Sequence, residues 1–293
     1  MKIFLTGSNG FVGQNLIKFL DNQFELESYY RDSPIKIEHE IVIHLAGKAH
    51  DLKNVVDFNE YYESNTELTK KVYDAFLKSN ARVFIFLSSV KAVADRIDVD
   101  LTEEYTPNPS THYGKSKLLA EQYILGKQIT TYKRVYILRA SMIHGPGNKG
   151  NLTLLYNFVK SGTPWPLGLF DNKRSFLSID NLCFIILELI QNNKIPSGVY
   201  NVTDDVPLST NNIIYLISST LSKKPFILLI PKYIIKIIAK LGDIFKLPLN
   251  TERLLKLTDF YVISNTKIKS VINKELPFSS KEGMIKTFRS FNN

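Results

Sequence analysis

Cysteine is nearly absent: Cys183 is the single one in 293 residues. An intramolecular disulfide is therefore impossible, and Cys183, inside the apolar helical stretch Asn181-Leu182-Cys183-Phe184-Ile185-Ile186, reads as a core residue. A reduced, cytoplasmic setting fits this usage best. Long apolar runs are missing too. Met1-Lys2-Ile3-Phe4-Leu5 breaks at once into Thr6-Gly7, so the start does not read as a signal peptide. No stretch reaches the length of a membrane span. Nucleic-acid-binding motifs, internal repeats and low-complexity tracts are also lacking, and no metal site is expected. What the chain has in excess is positive charge, +9 net. The basic residues are scattered, which points to an anionic substrate or surface and away from DNA. With 44% hydrophobic and 22% charged residues, the chain suits one large globular domain or two closely joined ones.

The amino terminus carries the first chemical signal. Residues 2–6 (Lys-Ile-Phe-Leu-Thr) read as a buried strand, and a helical pattern runs from Val12 to Leu20. Between them stand Gly7, Gly10 and Gly13. In such a strand–turn–helix unit the first glycine permits the tight turn, the second lets backbone approach a pyrophosphate, and the third lets helix pack on strand. The helix amino terminus then presents free N–H groups to phosphate. Gly7, Asn9, Gly10, Phe11, Val12 and Gly13 are the expected contacts of a dinucleotide. The next strand, Phe24 to Tyr30, runs into Arg31-Asp32. Arg31 suits a 2′-phosphate and tilts the reading toward NADP. Asp32 suits a free 2′-hydroxyl and NAD, and a merely solvated Arg31 is the plain alternative.

Further strands follow, each with polar residues at its carboxyl end. Ile41-Val42-Ile43-His44 leads into Leu45, Ala46 and Gly47, expected to bring backbone to the cofactor. The body of His44 reads as packing, and His50 as a loop residue that lines the cleft in one reading only. A helix from about Tyr61 to Lys78 contains Asn65. The strand Arg82 to Leu87 ends in Ser88-Ser89, which are either substrate contacts or turn caps. Val135 to Leu138 ends in Arg139 and a glycine-rich loop from His144 to Asn151. Alternating strands and helices of this kind form a doubly wound parallel α/β sheet.

Tyr113 and Lys117 are the most informative pair. Four positions apart on a helix, they share one face. An ammonium beside a phenol favours the phenolate, so Tyr113 is expected to exchange protons near neutral pH. The spacing alone is common. The glycine cradle and the serines give it weight.

Jointly these residues resemble the extended short-chain dehydrogenase/reductase family, of the NAD-dependent epimerase/dehydratase type. The resemblance rests on Thr6-Gly7-x-x-Gly10-x-x-Gly13, His44-Leu45-Ala46-Gly47, Asn65, Ser88-Ser89, Tyr113-x-x-x-Lys117, and Arg139 with Gly145-Pro146-Gly147. Gly145 to Leu152, Trp165 to Gly168 and Asn172 to Asn181 are similar to bacterial nucleotide-sugar 4-epimerases and 4-keto-sugar reductases of surface-polysaccharide synthesis. The resemblance implies NAD or NADP and a Rossmann sheet with a smaller C-terminal α/β substrate lobe. It implies that Tyr113 moves a proton at the sugar C4 oxygen, Lys117 lowers its pKa and binds the nicotinamide ribose, and Ser89 hydrogen-bonds the same oxygen, with Ser88 as fallback. Asn65 matches a structural helix position. Lys91, Asn151, Arg174 and, more weakly, Arg253 are the expected substrate-binding residues. Dehydratases of the family carry Asp-Glu where this chain has Val90-Lys91, so 4,6-dehydration is not expected. The connection from Asp32 to Glu40 is shorter than in most relatives, which removes an expected adenine contact.

Residues 1–149 with about 175–202 are assigned to the dinucleotide-binding domain, and 150–174 with about 203–293 to the substrate lobe. Phe176 to Asp180 is expected to rejoin the sheet domain. Trp165 reads either as a wall of the uracil pocket or as core. Pro231 to Lys246 is basic and amphipathic, with Lys232, Lys236 and Lys240 on one face. A lid helix packed on the lobe is the favoured reading, and a helix touching anionic membrane is the sharper one. The implied partners are a nucleotide sugar and, from the family, a second copy in a homodimer. An epimerase acting on a polyprenyl-diphosphate sugar and a non-catalytic dinucleotide-binding regulator are the rivals. Intact Tyr113, Lys117 and Ser89 argue against the regulator.

Overall fold

The computed structural model describes residues 1–30, 33–48, 57–148, 150–247 and 249–292. Arg31, Asp32 and His50 lie outside the described residues. Six strands form one parallel sheet: β1 (Lys2–Thr6), β2 (Glu25–Tyr29), β3 (Ile41–His44), β4 (Val83–Ser89), β5 (Arg134–Ala140) and, later in the chain, β8 (Gly198–Val202). Their order is β2-β1-β3-β4-β5-β8. The order reverses between β1 and β3, and the carboxyl ends of these neighbours open the crevice in which a doubly wound sheet binds its ligand.

The apolar runs are continuous because both faces of this sheet are covered. Ile3, Leu5, Ile41, Ile43, Ile85 and Leu138 share one core with α1 (Phe11–Leu20). The alternate residues Phe4, Val42, Phe84, Phe86 and Ile137 face a second core on the opposite side. There α2 (Phe58–Tyr61) runs through a π-helical segment, Tyr62–Glu67, into α3 (Leu68–Lys78), which packs beside α4 (His112–Leu125). The helix expected from Tyr61 to Lys78 therefore starts earlier and carries a wider central turn. That turn lets adjacent Asn65 and Thr66 both bond α4, to the Ser116 hydroxyl (2.9 Å) and the Ser116 carbonyl (2.8 Å).

Beyond β5, β6 (Met142–His144) pairs only with β7 (Phe176–Ser178). Phe176 to Ser178 thus adds no strand to the main sheet, yet Leu177 and Ile179 pack into its core. The helix that follows it, α6 (Ile179–Gln191), does pack there, through Leu182, Ile185, Ile186 and Leu189. The remaining helices are α5 (Asn151–Lys160), α7 (Thr210–Thr220), α8 (Lys232–Phe245), α9 (Thr251–Thr258), α10 (Thr266–Ile272) and α11 (Ser280–Arg289). α5, α7 and α11 enclose a separate core around Leu152, Tyr156, Ile217 and Phe288. Trp165 is buried in a further cluster with Ile214, Ile235 and Leu254, its indole N–H bonded to Asn211. It is a core residue and does not wall the cleft.

α8 does pack on its lobe, against the cluster around Trp165 and against α9. The helix touches its lobe through a narrow stripe, Ile235, Ala239 and Gly242, and leaves most of its large apolar side chains in solvent. No described helix is long and apolar enough to cross a membrane.

Candidate active site

The glycine cradle sits at the carboxyl end of β1. Gly7 has φ +76°, and a Cβ there would lie 2.7 Å from the Ala46 nitrogen. A Cβ on Gly13 would lie 2.2 Å from the Gly7 carbonyl oxygen and 2.7 Å from the Ser8 Cα, both immovable backbone atoms. This close approach aims the amino terminus of α1 into the crevice, the geometry that receives a pyrophosphate. Gly13→Ala is expected to cost about 1–3 kcal/mol of stability, as overpacking does. It should also weaken dinucleotide binding about tenfold or more, read by titration of the purified protein. Unchanged affinity would remove the cradle from the site.

A cleft of about 1170 Å³ runs from Gly7, Gly10, Phe11, Val12 and Gly13 past Leu45 and Gly47 to Ser89, Tyr113 and Lys117, and on to Asn151 and Arg174. Three expected cofactor residues stand apart from its lining. Asn9 is exposed and uses its carbonyl to accept the Gln14 amide. Ala46 donates its N–H to the Thr6 hydroxyl (3.1 Å). Asn65 is fully buried behind the wall, accepting from the Lys48 N–H (2.7 Å) and donating to the Lys48 carbonyl (3.2 Å) and to Ser116. It clasps the Gly47–Lys48 loop to α4, a structural role. His44 joins β1 to α3 through Thr6 (2.6 Å) and Thr69 (2.9 Å). Burial, aided by the charge of Lys117, pushes its pKa down to about 3, so it stays neutral.

Tyr113 and Lys117 lie on α4 as the spacing requires. Thr111 caps the helix, its hydroxyl accepting from the Gly114 N–H (3.2 Å). Gly114 is required for the approach: a Cβ there would lie 2.3 Å from the Lys91 carbonyl. Asp95 fixes the chain ahead of the helix, accepting from the Ser110 N–H (2.7 Å) and hydroxyl (2.7 Å) and the Thr111 N–H (3.1 Å). Burial pushes its carboxyl up, but these bonds prevail and hold it below the usual range.

Ser89 stands beside the Tyr113 phenol and opposes the upward push of burial on it. The Tyr61 ring meets that phenol edge-on at 6.0 Å. Ser89 is also the cap of the turn after β4, its hydroxyl accepting from the Lys91 N–H (3.2 Å). Ser88 bonds buried Glu121, which also holds Arg139 (Nη2 to Oε2, 2.7 Å). Both serines line the cleft; Ser89 also caps the turn, and the Ser88 hydroxyl is taken up by the buried Glu121.

The expected lowering of the Tyr113 pKa by Lys117 does not prevail. Lys117 Nζ donates to the Leu87 carbonyl (2.9 Å) and lies 4.8 Å over the Phe86 ring. Burial lowers its pKa to about 8, with Glu121 pulling the other way. Burial pushes the Tyr113 phenol up, opposed by Ser89. Desolvation wins over the expected lowering. Tyr113 is therefore a protonated phenol at neutral pH.

At the far end, Arg174 lines the cleft, its backbone bridged to Leu208 and Tyr261. Lys91 Nζ donates to the Asp95 carbonyl (2.8 Å) and lies 4.1 Å over the Tyr261 ring. Burial lowers its pKa to about 8, against the pull of Asp95. Asn151 opens α5 and lines the same wall, joined by Asn148. Arg253 is not there. It lines a separate pocket of about 420 Å³ with Asp243, Lys246 and Asn250, while its neighbours Glu252, Leu255 and Lys256 face the cleft. The helical phase of α9 decides this, and it is invisible from a lone arginine. Asp95, Asn148, Lys256, Asp259 and Tyr261 went unpredicted as cleft residues because they follow no local motif. Among the described residues, no cluster of His, Cys, Asp or Glu suits a metal ion.

The residues fit a dinucleotide: a cradle that a single methyl group would close, opening into a cleft that passes Tyr113 and Lys117. Comparison with known proteins agrees. Residues 31–203 match the NAD dependent epimerase/dehydratase family. The chain is 28% identical to a UDP-glucose 4-epimerase of Vibrio cholerae over 99% of its own length and 95% of the relative's. It is 28% identical to an N-acetyl-α-D-glucosaminyl-diphospho-undecaprenol 4-epimerase of Escherichia coli, over 76% of this chain and 73% of that one. Its fold superposes on the UDP-glucuronic acid 4-epimerase of Bacillus cereus in complex with NAD, with a TM-score of 0.78 and 17% identity, covering 100% and 99% of the two chains. With well over half of its length matched, the chain belongs to the NAD dependent epimerase/dehydratase family.

Proposed function

We propose that this protein is a C4 epimerase of a UDP-activated hexose, with a UDP-N-acetylhexosamine as substrate and NAD as resident cofactor, serving surface-polysaccharide synthesis. One observation carries the reading: the Tyr113 phenol, beside Ser89 and one helical turn from Lys117, lines the same cleft as the glycine cradle. The likeness to UDP-sugar 4-epimerases favours epimerisation over reduction. The NADP leaning rested on Arg31, outside the described residues, whereas the likeness to an NAD-bound fold favours NAD.

In this reading Gly7, Gly10 and Gly13 hold the pyrophosphate and Lys117 the adjoining ribose. The dinucleotide supplies reversible hydride exchange at C4. Tyr113 removes the proton from the C4 hydroxyl and returns it after the sugar has presented its other face. Ser89 holds the same oxygen, so that proton and sugar stay aligned. Arg174, Asn148 and Asn151 take the diphosphate and sugar. Residues 150–174 and from about 203 onward act as the substrate lobe. Lys91 stands where a dehydratase of the family carries an acid, and its ammonium is directed at the Asp95 carbonyl, which argues against water loss from the sugar.

Incubation with UDP-N-acetylglucosamine, without added reductant, is expected to yield the C4 epimer. The result that overturns the proposal is NADPH consumption with a 4-keto-6-deoxy sugar nucleotide and no epimer from any UDP-hexose.

A further inference from the structure

We propose that α8 seats the substrate lobe on the surface of an anionic lipid bilayer. Residues on a helix advance about 100° each. Ile235, Ala239 and Gly242 therefore form one stripe, and this stripe packs against the cluster around Trp165, Leu167 and Leu254. A Cβ on Gly242 would lie 1.8 Å from the Leu249 carbonyl, so this side is closed by the chain itself. Next around the helix come Lys232, Lys236 and Lys240, all exposed. Beyond the lysines lies a wide apolar face: Tyr233 (65% exposed), Ile237 (55%), Leu241 (43%), Ile244 (71%) and Phe245 (68%). Leu229 and Phe226 precede the helix and are also exposed, on the strand-like segment that pairs with Trp165 and Leu167.

Leaving these side chains in water is costly, and a soluble monomer rarely does so over a contiguous face. The occupant follows from charge. The lysines run along one edge of the apolar face, and the single acid of the helix, Asp243, is held by the Thr251 N–H and hydroxyl. Two copies meeting through this face would bring two lysine rows together on chains of net charge +9. Anionic headgroups would instead complement them, with the lysine stems lying along the acyl boundary. At 14 residues the helix is about 21 Å long, too short to span the hydrocarbon core, so it lies in the interface plane. α8 packs on α9, which supplies Leu255 and Lys256 to the cleft wall. The seat and the site are thereby mechanically joined. This inference holds whichever sugar carrier is used.

Flotation of the full chain with phosphatidylglycerol/phosphatidylcholine vesicles tests it. At low salt the protein should float with anionic vesicles, stay behind with pure phosphatidylcholine, and be released by added salt. The pair Lys236→Gln/Lys240→Gln should lower the partition coefficient about thirtyfold. The triple Ile237→Ser/Leu241→Ser/Phe245→Ser should lower it more than about a hundredfold. All five positions are exposed, and circular dichroism verifies that the variants fold. No flotation at low salt overturns the proposal, as does flotation unaffected by both variants. Loss of self-association in the apolar triple, measured by sedimentation equilibrium, also overturns it by assigning the face to a second copy.

Discussion

Tyr113→Phe is expected to lower kcat by about two to four orders of magnitude, the usual loss when a positioned general acid/base is removed. Only one oxygen is lost. The ring keeps its edge contact with Tyr61, and Ser89 keeps the Lys91 N–H as a partner. The fold and the dinucleotide cradle, on a different strand, should be intact. Denaturant unfolding and cofactor titration should therefore match the parent while turnover collapses. A fall in KM-related binding with preserved kcat would instead mark Tyr113 as a packing residue, and undiminished turnover would remove the catalytic assignment.

The burial of Tyr113 adds a condition. Burial raises the phenol's pKa further above neutral, so its deprotonation calls for a cation close by. Lys117 stands one turn along the same helix, and it is close to losing its own proton at about pH 8. Turnover is thus expected to decline above that pH as the ammonium is lost.

The local signals in the chain translated directly into structure. Continuous apolar runs marked strands covered on both faces, three glycines marked the cradle, and an i, i+4 pair put Tyr113 and Lys117 on one helix. Each of these depends on residues within one element or one turn. The far wall of the cleft was not legible, for a topological reason. Tyr261 reaches Lys91 across 170 positions, through single backbone bridges such as Leu101–Ile263 and Arg174–Tyr261 that no periodicity announces. Arg253 failed for a phase reason, since one residue along α9 turns a side chain by about 100° and from one pocket to the other. The direction of the Tyr113 shift failed for an energetic one: a sequence shows that a charge is near but not how deeply its neighbour is buried.

Glu121 supplies the second large effect. It is fully buried beneath Lys117 and accepts from Arg139 through Nε (3.0 Å) and Nη2 (2.7 Å) and from Ser88. Glu121→Gln keeps the shape and removes the charge, leaving Arg139 buried without its counter-ion. Breaking a buried pair from one side costs about 3–5 kcal/mol. The pH dependence separates this from a general packing defect. Lys117 has its folded pKa depressed to about 8 from an ordinary 10.5, so between those values the folded chain binds fewer protons than the unfolded one. Stability contributed through Lys117 therefore rises with pH across that window. Glu121 is the group that pulls the Lys117 value up, so its neutralisation moves the lower edge of the window below pH 8 and deepens the cost at neutral pH. Urea unfolding should show Glu121→Gln losing more stability relative to the parent at pH 7 than at pH 9. The alkaline decline of turnover should shift to lower pH in the same variant. Equal losses at the two pH values, with an unmoved activity profile, would show that Glu121 braces Arg139 alone and does not position the charge of Lys117.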